Sequence, residues 1–245
     1  MKNHFLIFSI LLSLSFEIYS QDSNFNYGIK IGTNFSEYTP DYTVKNTTLD
    51  ANFSGKFGYY LGGFTNFKLN NRVSLQSELL LSKNGTNVKY DVFVEPAGTF
   101  PGPVSVPKEY EYNLNEFNLT LPISVQYKFN DFLFAEVGLM LNYVMFVNQK
   151  IKNDPFVNMN GDSENDPEKN IDRFDLAGLA GLGVKLSENI NLNLRYSYSI
   201  IERNSSAFNN ENTDLLEIFP IDFVRSSIFY LGIEYNIKTS KKKSN

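Results

Sequence analysis

Five ionisable residues, Lys30, Glu78, Glu136, Arg195 and Glu234, share one setting in this chain. Each lies in a stretch where apolar and polar residues alternate, and each falls on the polar side. Three carboxylates and two cations at similar heights inside a narrow sheet would form a buried ion-pair layer. Such charges need partners in a poorly hydrated interior. Other chemistry is less well supplied. Ser-His or Cys-His nucleophile activation requires histidine or cysteine, and the chain has no cysteine and one histidine, His4, in a segment expected to be removed. Glu and Lys bases remain available, but no spacing singles one out, so the reading is not an enzyme. The stretch 148–172 carries Asp154, Asp162, Glu164, Asp166, Glu168 and Asp172. Phe156 stands where a calcium loop would need its first Asp relative to Gly161, so a solvated acidic loop is expected. No metal and no cofactor are implied.

The elements that must hold the five charges are strands. Period-two alternation recurs in eight segments, at residues 25–36, 56–68, 73–82, 117–129, 133–146, 174–186, 190–200 and 227–237. The fourth aligns Phe117, Leu119, Leu121, Ile123, Val125, Tyr127 and Phe129 against Asn118, Thr120, Pro122, Ser124, Gln126 and Lys128. Tight turns are expected at 69–72, 130–131 and 187–189, which are rich in Asn, Asp and Ser. The remaining connections, 37–55, 84–115, 148–172 and 202–224, are long. Short turns on one side and long loops on the other mark an outer-membrane barrel.

Which face is inside decides the class. A soluble lipocalin-like barrel would show the same alternation with the faces exchanged. Glycine discriminates: Gly28, Gly32, Gly58, Gly62, Gly138, Gly181, Gly183 and Gly232 lie on the polar face, and only Gly63 and Gly178 on the apolar one. A solvated face gains nothing from glycine, whereas the lumen of an eight-stranded barrel is only wide enough for its own side chains. Aromatic residues cluster near both segment ends, as interfacial girdles do: Phe25, Tyr27, Phe67, Tyr127, Phe129 and Tyr235 at one, Phe35, Phe57, Tyr143, Phe174 and Tyr198 at the other. The fold expected is therefore all-β, an eight-stranded antiparallel up-and-down transmembrane β-barrel with short periplasmic turns and long extracellular loops.

The N-terminus fits that destination. Lys2 precedes the twelve-residue apolar run Phe5 to Phe16, too short to span a bilayer and laid out like a secretory signal, with Ile18 and Ser20 at the −3 and −1 positions of a cut after Ser20. Residues 1–20 are read as signal peptide, 21–238 as the barrel and 239–245 as a basic tail containing Lys241 to Lys243. A net charge of −5 and a pI near 5.1 give no reason to expect nucleic acid.

The segments "YGIKIGTNFS", "SLQSELLLSKNG", "FNLTLPISVQYKF", "FAEVGLMLNYV" and "NLNLRYSYSI" resemble strands of the PorT-like outer-membrane β-barrel family of Bacteroidetes, across essentially the whole mature chain. Where members of that family often place a carboxylate and a lysine around the proline of the fourth strand, this chain has Thr120 and Gln126, and the tail "TSKKKSN" replaces an aromatic-terminated last strand. The resemblance implies residence in the cell outer membrane and, for some members, a link to protein secretion and gliding.

Counted from the periplasmic ends, Lys30, Glu78, Glu136 and Arg195 sit four or five residues in, and Glu234 about three. At ~3.3 Å per residue these heights are comparable, so one charged layer centred on Arg195 is expected to cross and block the lumen. The function expected is a non-enzymatic structural or partner-binding component, with outer-membrane lipid around it and an envelope or secretion-system protein on its extracellular loops. Of these, the proline-bearing 84–115 stretch is best suited to contact a partner, or else forms a hairpin above the membrane. A small ligand-responsive channel and a secreted lipocalin-like binding barrel are the alternatives.

Overall fold

The structure is a computed structural model describing residues 24–40, 52–94, 106–153, 172–204 and 223–237. The signal segment 1–20, most of the acidic 148–172 stretch, the proline-bearing tip 95–105 and the tail 239–245 lie outside them. Antiparallel strands β1 (Phe25–Pro40), β2 (Asn52–Lys68), β3 (Val73–Val94), β4 (Val106–Lys128), β5 (Leu133–Asn153), β6 (Phe174–Lys185), β7 (Ile190–Ser199) and β9 (Phe223–Ile237) follow one another around a ring. A two-residue strand, β8 (Arg203–Asn204), pairs with the start of β9. The ring closes where β1 pairs β9 from Tyr27↔Ile237 to Pro40↔Val224, so the eight long strands form a barrel.

The faces resolve as a bilayer demands. Leu194 is 54% exposed and its neighbour Arg195 only 2%. The same inversion runs round the ring: Ile29, Leu61, Leu79, Ile123, Leu139, Leu182 and Ile233 point outward, while Lys30, Gln76, Glu78, Ser124 and Asn142 are buried. A soluble barrel would reverse this, so the lipocalin-like alternative falls. A closed ring leaves no backbone edge in hydrocarbon, which is why strands can cross there at all. Aromatic pairs mark the rims, Tyr127 with Phe129 at the periplasmic side and Phe35 with Phe57 and Tyr143 with Phe174 at the other, with ring centroids 5.0–5.4 Å apart. At the short turns, the Asn70 and Asn130 carboxamide oxygens each accept two backbone N–H bonds, the local chemistry that makes asparagine a turn residue.

Three loop boundaries need correction. The stretch 84–115 is mostly strand: β3 and β4 stay paired from Lys83↔Phe117 up to Val94↔Val106. β5 likewise continues to Asn153. Strands of 22, 23 and 21 residues are about twice the 9–11 that cross a bilayer, so β3, β4 and β5 form a wall standing above the membrane. The 37–55 stretch also shrinks, because β1 runs to Pro40 and β2 begins at Asn52, so Gly55 and Gly85, assigned to loops by pattern, both lie in strands.

Inside, the side chains stack in layers. At the periplasmic end the Asn66 Nδ2 donates to Ser74, Gln76 and Gln126 at 3.0–3.1 Å. Next comes the charged layer. Above it sits an apolar core formed by Tyr60, Leu80, Met140, Ala177, Leu179, Ile228 and Tyr230, in which the Tyr60 and Tyr230 rings meet edge-on at 5.4 Å. Lumen aromatics face glycines across the strands: Phe64 pairs with Gly28, Tyr60 with Gly32 and Phe134 with Gly183. The polar-face glycines thus make room for rings as well as for charges.

Gly138 shows how tight this is, because a Cβ there would meet Ile123 O at 2.1 Å and Ser124 Cα at 2.7 Å, both fixed backbone. Gly138→Val is expected to cost at least the roughly 1–3 kcal/mol of an overpacked core. Heat-modifiable gel mobility would report it as loss of the folded band. Gly63→Ala, whose nearest contact is 3.5 Å away, should leave that band unchanged.

Candidate functional site

Alternation in β1, β3, β5, β7 and β9 puts Lys30, Glu78, Glu136, Arg195 and Glu234 on inward positions, and ring closure brings all five together. Arg195 is the hub. Its Nη1 and Nη2 donate to Glu78 at 3.1 and 2.7 Å, and its Nε and Nη2 donate to Glu136 at 2.9 Å each. The planar guanidinium therefore serves two carboxylates with paired bonds, a geometry that lysine cannot reproduce. Lys30 lies directly across the seam from Glu234 and reaches it at 2.9 Å and Glu78 at 3.0 Å.

Neutral donors complete the layer. Gln76 Nε2 donates to Glu78 and Glu234 at 2.7 and 2.9 Å, Asn191 donates to Glu234, and the Ser124 hydroxyl to Glu136. Gln76, on the polar face by pattern, thus belongs to the centre of the site. Thr120 and Gln126 carry no charge pair; Thr120 shares a hydroxyl contact with Ser82 at 3.2 Å and Gln126 joins the lower amide web.

A second ionic site escaped the sequence reading. At the extracellular mouth Arg203 donates to both Glu116 oxygens at 2.9 and 3.0 Å, and the Tyr38 hydroxyl donates to Glu116 Oε2 at 2.6 Å. The Arg203 guanidinium also lies 5.6 Å from the Tyr38 ring centroid, within cation–π range. Burial acts to lower the Arg203 pKa, but the facing Glu116 carboxylate outweighs it and holds the guanidinium above its ordinary value. Tyr38 and Glu116 continue the inward period of β1 and β4 past the rim, so two further residues of alternation would have found them. Arg203 follows the bend after β7 and has no periodic signal.

The arrangement can hold the barrel shut and exclude a continuous water column. Among the described residues no group of three His, Cys, Asp or Glu is placed to hold a metal ion.

Comparison with known proteins agrees with the architecture. A family model described as an outer membrane protein beta-barrel domain matches residues 19–202. No curated protein matches the chain in sequence. Solved structures with similarity include the attachment invasion locus protein Ail of Yersinia pestis, at 13% identity and TM-score 0.42, covering 87% of this chain and 99% of that one. Neisserial surface protein A aligns at 12% identity and TM-score 0.43, over 89% of this chain and 100% of that one. OprG from Pseudomonas aeruginosa aligns at 12% and 0.37, over 88% and 95%.

Arg195→Ala would leave Glu136 buried without a cation and Glu78 with Lys30 alone. The expected loss is about 3–5 kcal/mol of barrel stability, read from urea unfolding in lipid vesicles. Adding Glu78→Gln and Glu136→Gln to an Arg195→Met background should restore most of it, because the penalty belongs to the unpaired charges.

Proposed function

The chain belongs to the outer membrane protein beta-barrel domain family, and from that premise we propose that it is a sealed, non-enzymatic anchor presenting a partner-binding surface outside the cell. The observation that carries this reading is the combination of a filled lumen and an overgrown wall. Four layers of side chains stack from the periplasmic amide web to the Arg203–Glu116 clamp. Meanwhile β3, β4 and β5 run past the aromatic rim with roughly 35 Å of strand available in β4 alone, at ~3.3 Å per residue. Material spent above the membrane rather than on a pore supports recognition over transport.

The partner suggested by the likeness to PorT-like barrels of Bacteroidetes is an envelope or secretion-system protein, contacted by the extended β3–β4 pair. The absence of cysteine, and of any histidine beyond His4, supports a role without nucleophilic catalysis. The second reading is a small ligand-responsive channel, which would require the Arg195 layer to move aside.

Two measurements separate these readings. In planar bilayers the wild-type protein should show no steady conductance; current steps that Arg195→Ala enlarges or abolishes would turn the assignment to a channel. In cells, replacing residues 90–110 by a tight turn should leave the folded barrel intact yet reproduce the surface and secreted protein changes of a deletion strain. A deletion strain with an unaltered secretome would remove the secretion role.

A further inference from the structure

Between the apolar core and the extracellular clamp, consecutive strands β4, β5 and β6 present Asn118, Asn142 and Asp175 to the lumen, 3%, 4% and 4% exposed. Asn142 and Asp175 are direct cross-strand partners, and Asn142 Nδ2 donates to Asp175 Oδ2 at 3.1 Å. Asn118 is one diagonal step away, because its neighbour on the same face, Thr120, pairs with Asn142. The Ser226 hydroxyl also donates to Asp175 Oδ2 at 3.3 Å, and shares a 2.7 Å contact with Ser199.

The unsatisfied buried atoms of this group are all acceptors. Asp175 Oδ1, Asn142 Oδ1 and Asn118 Oδ1 are all buried with no donor facing them. Buried polar atoms are ordinarily satisfied, so three orphan oxygens on adjacent positions identify a place lacking positive charge or hydrogen. Charge tells the same story. Arg203, the nearby cation, is committed to Glu116 through two bonds, and Asp175 forms no salt bridge among the described residues. An unpaired buried carboxylate is costly. A single carboxylate with two amide oxygens and the hydroxyls of Thr120 and Ser199 close by is an oxygen-only set of charge −1, which suits a monovalent ion. Calcium sites ordinarily draw on more carboxylates than this.

We propose that Asn118, Asn142 and Asp175 form a binding site for an alkali-metal cation inside the lumen, on the extracellular side of the apolar core. The ion supplies the charge that Asp175 lacks and ties three neighbouring strands together. It binds the folded barrel alone, so its concentration sets part of the barrel's stability.

The test is thermal unfolding of the full chain refolded in detergent micelles, with sodium chloride compared against choline chloride at equal ionic strength. Sodium should raise the midpoint by a few degrees, with the gain growing as the logarithm of its concentration. Asp175→Asn should abolish the gain. Asn118→Ala, which keeps the carboxylate and guards against a variant that fails to fold, should shift the sodium dependence about tenfold toward higher concentration. Identical midpoints in sodium and choline would overturn the site. So would a sodium gain that persists in Asp175→Asn, or stabilisation by calcium chloride with none by sodium.

Discussion

The ladder between β1 and β9 is the constraint from which the rest follows. In hydrocarbon an unpaired strand edge is prohibitive, so the first and last long strands must pair, and their pairing from Tyr27↔Ile237 to Pro40↔Val224 fixes a circumference of eight strands. That circumference fixes the width of the lumen, and the width dictates its contents. Side chains must fill it without a solvent column, and polar ones must satisfy each other. The double fork of Arg195, the amide web around Asn66 and the rings seated on glycines are three answers to one packing problem.

The barrel is uneven along its rim. β6 and β7, with 12 and 10 residues, barely cross the membrane, while β3, β4 and β5 exceed twenty. On the low side the chain bends inward after Ile200, and Arg203 reaches Glu116 on β4. The high side offers surface outward, and the low side closes the mouth. The two sides are joined by one salt bridge, so the tall wall and the low rim share a structural element.

The fold was legible because a lipid-facing residue and a lumen-facing residue differ in polarity at every step, and alternation records that difference directly. The five charges were legible for the same reason. The apolar core was hidden by the same rule: where Leu80, Met140 and Tyr230 turn inward, the runs Leu79-Leu80-Leu81, Leu139-Met140-Leu141 and Phe229-Tyr230-Leu231 lose their alternation, and period two has nothing to report. Loop boundaries failed differently. Above the rim both faces of β3 and β4 can be polar, so Asn84, Thr86 and Asn113 read as loop although they are buried in paired strands. Arg203 depended on a bend, which local composition does not encode.

The salt bridge between Lys30 and Glu234 joins residues near opposite ends of the chain across the closing seam. Until β1 meets β9 these charges stand apart in a half-zipped sheet, and Arg195 lacks a finished enclosure. Their attraction is therefore gained only as the seam pairs, late in closure. Interactions of that kind slow unfolding more than they speed folding. The charged layer thus bears on the lifetime of the closed barrel: once the seam zips, reopening must separate buried ions in a medium that cannot solvate them.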